Sequence, residues 1–121
     1  CGFGIFGTNI PVGTFTYGSG MVSRELVLKE GSFEYTTYNQ DGSIIAWHKG
    51  TFSALEDLGN NTAQAYLDTY ESSITTFMVH NPEVPQLKLR YSSPTMFFDL
   101  DVNGNGIFEE RLTDISTFVE N

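Results

Sequence analysis

Period-two alternation is the feature that most restricts this chain. Across QLKLRYS, Leu87, Leu89 and Tyr91 fall on one side and Lys88 and Arg90 on the other. SRELVLK places Leu26 and Leu28 together, and GSFEYTTYN places Phe33 and Tyr35 opposite Glu34. Only an extended strand puts every second side chain on one face, so these runs predict half-buried β-strands. Asp41-Gly42 stands between two of them and predicts a hairpin turn. In SIIAWHKGTFSAL, Ile44, Ala46, His48 and Phe52 share the expected inner side, and Gly50 predicts a bulge or bend. EDLGNN reads as a turn, and ITTFMVH reads as a short strand ending at two prolines. The segment 111–121 is ambiguous, because Leu112, Ile115 and Val119 suit a helix better than a strand face.

About eight strands with short connections predict antiparallel pairing, since parallel strands need long crossovers. The expected fold is all-β, an antiparallel barrel of about eight strands, with a two-sheet β-sandwich as the alternative. The 121 residues suit one domain. Residues 13–121 form the expected β domain. Residues 1–12 are apolar and broken by glycine, and read as an extended N-terminal arm.

Charge narrows the partners. Fifteen acids against six bases give a net charge of -9, with the bases scattered singly. Phosphate-rich partners need clustered Lys and Arg, so nucleic acid is excluded as a partner. The same scatter argues against a polybasic membrane face. One cysteine, at position 1, permits no internal disulfide and no cysteine-based zinc cluster. A chain beginning at a lone cysteine is what lipoprotein processing leaves, so Cys1 is a candidate lipid attachment site. The competing reading is a free thiol. The localisation implied is the cell envelope or the extracellular space, with a membrane contact through lipid on Cys1.

The most specific local pattern is FFDLDVNGNGIFEERL. Asp99, Asp101, Asn103, Gly104 and Glu110 follow the calcium-loop spacing D-x-[DN]-x-[DN]-G-x5-E. Oxygens at every second position can converge on a hard cation once glycine lets the chain curl. Two features depart from a helix-flanked loop of that kind: SSPTMFF reads as a strand, and Gly106 stands where an aliphatic residue is usual. A second register uses Asp101, Asn103, Asn105, the carbonyl of Ile107 and Glu109. It resembles the loops on strand hairpins of extracellular β-propeller repeats. Calcium is the expected cofactor in both registers. A plain hairpin is the alternative, since Asn103-Gly104 and Asn105-Gly106 are both good turn pairs.

His48 lies near Glu34 and Glu56 in the chain, yet its alternation marks it as a structural core histidine rather than a catalytic one. No nucleophile motif or phosphate loop sits in the required strand-helix context, and no enzyme activity is expected. The Tyr residues and Trp47 suit cross-strand pairs or a carbohydrate or apolar pocket.

GTFTY (13–17), ELVLKEGSFEYTTY (25–38) and WHKGTFS (47–53) together resemble the opening half of small bacterial lipocalin-like domains. The resemblance covers about a third of the chain. It implies an antiparallel barrel, often on a lipoprotein, and brings no catalytic residues. The expected function is a non-enzymatic envelope domain that binds a ligand or protein partner. The alternative is a structural subunit of a surface filament or layer, self-assembling through the arm.

Overall fold

A computed structural model describes residues 5, 8, 10–18, 22–108 and 116–120. Ten strands follow in chain order: β1 (Gly13–Gly18), β2 (Val22–Lys29), β3 (Ser32–Asn39), β4 (Ile44–Thr51), β5 (Glu56–Gly59), β6 (Thr62–Tyr66), β7 (Thr69–Ser72), β8 (Pro85–Ser92), β9 (Thr95–Leu100) and β10 (Ser116–Glu120). All pairings are antiparallel. One continuous sheet results, in the order β5-β6-β8-β9-β10-β1-β2-β3-β4-β7. Among the described residues there is no α-helix, and no pairing joins β5 to β7, so hydrogen bonds do not close the sheet into a barrel.

The expected alternation holds where the sheet is thickest. Phe15, Leu26, Leu28, Phe33, Tyr35, Leu87, Leu89, Met96, Phe98 and Leu100 are all buried and form one core. Rings meet across it. Phe33 and Tyr35 of β3 lie 5.3 and 5.4 Å from Phe98 of β9, centroid to centroid, the second pair edge to face. Three strands separate β3 from β9 within the sheet. The sheet must therefore coil until its own inner faces touch, as twisted antiparallel sheets do when one face is apolar. The interior is filled by side chains.

Several local expectations change. EDLGNN is a strand and a turn: β5 occupies Glu56–Gly59, and Asn60 and Asn61 both take positive φ, 53° and 56°. Two such residues in succession make a type I′ hairpin turn, and Asn tolerates that conformation. ITTFMVH contributes no strand: residues 74–77 run as turns and bends, and residues 78–80 take no regular structure. The helix option for the tail fails at 116–120, which pair as a strand with both β9 and β1. Ile44 does not join the inner face and is 58% exposed. A bulge at Thr37/Tyr38 puts Tyr38 opposite Ile44 and Thr37 opposite Ala46, which breaks the alternation at that end of β4.

Gly50 is not a bulge either. It stays in register between Phe33 and Tyr70. Its role is close approach: an added Cβ would lie 2.7 Å from the Phe33 ring and 2.7 Å from the Thr69 carbonyl oxygen. The Asp41-Gly42 turn forms as expected. Asp41 Oδ1 accepts from Ser43 Oγ at 2.6 Å and Ser43 N at 2.9 Å. Ser43, through its hydroxyl first and its N–H second, holds the Asp41 carboxyl below its ordinary pKa. The contribution of this exposed turn is complete above the unfolded aspartate pKa and fades as pH falls through the lowered folded value.

Near the N-terminus, Ile5 N donates to Ile10 O at 2.8 Å and Thr8 N to Ile5 O at 3.0 Å. Ile5 and Ile10 are fully buried in the same core as Phe15.

Two substitutions test this packing. Phe98→Ala removes the ring that β3 leans on and should cost about 3–5 kcal/mol. Gly50→Ala meets backbone as well as a ring and should cost roughly 1–3 kcal/mol. Urea unfolding at constant m-value reads both.

Candidate metal-binding loop

The candidate loop leaves the end of β9, where a small polar layer covers the outer face of the sheet. By alternation Gln86 and Asp101 belong to the solvent side of β8 and β9, yet both are 0% exposed. They are covered by two loops, 78–84 and 102–106. Gln86 is the pin between them. Its Nε2 donates to Val79 O at 2.6 Å and to Asp101 O at 2.9 Å, and its Oε1 accepts from Asn81 N at 2.8 Å. Asp101 N donates to Gln86 O, Val79 N donates to Val102 O, and Asn81 Nδ2 donates to Gly104 O. A buried amide with both ends engaged costs little and fixes a conformation.

The loop then curls through side-chain to backbone bonds. Gly106 N donates to Asp101 Oδ2 at 2.6 Å, five residues on. Asn105 N donates to Asn103 Oδ1 at 3.3 Å, and Ile107 N to Asn105 Oδ1 at 2.9 Å. Gly104 and Gly106 both have positive φ, 74° and 81°. A Cβ on Gly106 would also press on Val84 at 3.1 Å. Glycine is thus required there twice over, by dihedral and by the neighbouring loop.

Asp101 is the electrostatic anomaly. Its Oδ2 takes the Gly106 N–H, while its Oδ1 is buried with no hydrogen-bond partner among the described residues. A buried carboxylate oxygen left without a donor or cation is costly. The chemistry fits a hard cation better than a soft one, because the oxygens nearby belong to carboxylate, amides and backbone carbonyls. No group of three or more His, Cys, Asp or Glu side chains gathers among the described residues. Neutral oxygens from Asn103, Asn105 and Ile107 would have to supply the rest.

Of the sequence-derived candidates, Asp101, Asn103, Asn105 and Ile107 share one curled loop. Asp99 sits earlier, in β9 opposite Lys88. Glu109, Glu110 and Cys1 lie outside the described residues. Gln86 and Asn81 were not singled out from sequence. The available signal was a glutamine at a strand's first outward position beside N-P-E-V-P, a position where a loop can fold back over it.

His48 is buried, 3% exposed. Its Nδ1 faces Tyr70 OH at 2.9 Å and Ser72 Oγ at 2.8 Å, and its ring packs on Phe77 at 4.3 Å. This position suits a histidine holding β4 to β7. His80 is exposed, and its Nε2 donates to Leu67 O at 2.9 Å.

Gln86→Leu would leave Asn81 N, Val79 O and Asp101 O without their partner at once. Stability should fall by roughly 2–5 kcal/mol, measured by urea unfolding in calcium-free buffer. Comparison with protein-family models, with curated proteins and with solved structures finds no match.

Proposed function

We propose that this chain is a non-enzymatic, extracytoplasmic β domain that binds a ligand or protein partner and is stabilised by calcium at the loop leaving β9. The observation that carries the reading is the buried, unpartnered Oδ1 of Asp101. The ligand set is Asp101, Asn103, Asn105 and the Ile107 carbonyl, completed by Glu109. The five-residue span from Asp101 Oδ2 to Gly106 N supports this register over the one beginning at Asp99. Asp101 is the one carboxylate among the first four ligands, so affinity falls in the extracellular range, on the order of 10⁻⁴ to 10⁻³ M. That range suits a domain outside the cytoplasm.

We read the coiled sheet as a lipocalin-like barrel left open between β5 and β7. Its ring-filled interior favours recognition on the outer surface rather than in a central calyx. The competing reading is a structural subunit assembled through residues 1–12. Burial of Ile5 and Ile10 in the chain's own core favours the binding domain.

A thermal melt in millimolar calcium against chelator tests the metal. Calcium at ten times its dissociation constant should add about 1.4 kcal/mol, a rise of several degrees in Tm. Asp101→Asn should abolish the shift. In chelator the same substitution should be neutral or stabilising, because it removes a buried charge. Glu109→Gln should weaken binding more than Glu110→Gln. No calcium-dependent shift in the parent protein would leave a plain Asn-Gly hairpin.

A further inference from the structure

The outer face of β3, β4 and β7 carries two cross-strand rows of unlike chemistry. Phe33 and Tyr35 point into the core, so Ser32 and Glu34 point out. Register then aligns Glu34, Lys49 and Glu71 in one row. The adjacent row is Ser32, Thr51 and Thr69, with Thr51 Oγ1 2.7 Å from Thr69 Oγ1. Both rows line a cleft of about 590 Å³. Gly50 lies between the two rows and its backbone also lines the cleft, while its missing Cβ faces Phe33 in the core. Trp47 lies on the same face two residues from Lys49, its ring centroid 5.2 Å from Lys49 Nζ.

We infer that this cleft binds a short, uncharged saccharide. The rows offer acceptors only (Glu34, Glu71), donors only (Lys49) and groups that do both (Ser32, Thr51, Thr69) within one recess. A ligand bearing vicinal hydroxyls, each donor and acceptor, satisfies all of them. The half-buried Trp47 supplies an apolar ring beside them, which matches the C–H face of a pyranose. Two carboxylates (Glu34, Glu71) and two ammonium groups (Lys29, Lys49) line the cleft and balance, so on a chain of net charge -9 nothing there favours an anion over an uncharged ligand. The volume lies within the range of small-molecule sites. Lys49 and Glu71 pair at 3.5 Å with side chains 47% and 67% exposed, a contact weak enough for Lys49 to turn to a ligand. The inference deepens the binding reading and makes no use of the calcium loop.

Amide chemical shifts test it. The ¹⁵N-labelled protein is titrated separately with cellotetraose, maltotetraose and chitotetraose to about 10 mM, enough to reveal millimolar binding. At least one should move amides of 32–34, 47–51 and 69–71 selectively. Lys49→Ala and Thr51→Val should each weaken that titration about tenfold, and Lys88→Ala, on another part of the sheet, should leave it unchanged. Shifts confined to another surface would overturn the cleft while sparing a binding role elsewhere. No shifts with any of the three, or larger shifts at these amides with sodium sulfate, would overturn the saccharide. Because the readout is independent of calcium, its failure is distinguishable from failure of the metal site.

Discussion

The contact of Phe33 and Tyr35 with Phe98 is the constraint on which the fold turns. Each ring comes from a strand that has no hydrogen bond to the other's strand. Nothing in a flat ladder would bring them together, so the coil of the sheet is the geometric expression of burying these rings. Gly50 belongs to the same constraint, since Phe33 can occupy its place only if β4 offers no side chain there. His48, tilted against Tyr35 and Phe77, stacked on Tyr70 and bonded toward β7, extends the packed interior to the sheet's edge.

Much of this was legible in the residues. Alternation at 25–38 and 86–91 identified the inner face because both sheet faces meet different solvents there, one apolar and one water. It failed where a second rule intervened. Ile44 was displaced by a bulge whose cause lies in the pairing with β3, not in β4's own letters. Residues 116–120 were ambiguous because a five-residue strand is too short for either period to declare itself. Asn60-Asn61 was read as part of a longer turn, since four exposed residues of β5 carry no apolar face at all.

The candidate loop divides in the same way. The spacing of oxygen-bearing residues was visible, and so were two registers. The preference between them depends on which carboxylate meets which backbone N–H, a fact of curvature and not of spacing. The burial of Asp101 depends on Gln86 and on a loop more than a dozen positions away in the chain, so no local pattern could announce it. Outer sheet faces are usually read as solvent. Here a patch of that face is roofed by loops, and polar residues acquire the demands of an interior.

β10 also has a consequence for how the molecule comes into being. It lies between β9 and β1 and is the strand through which the two arms of the sheet are joined. While a growing chain lacks residues 116–120, the β1-to-β4 portion and the β6-to-β9 portion each present a bare edge on β1 and β9. Local hairpins can form early, but the rings of β3 and β9 cannot be locked together until the last strand arrives. Pairing so distant in sequence is slow and favours a chain that stays unfolded through synthesis.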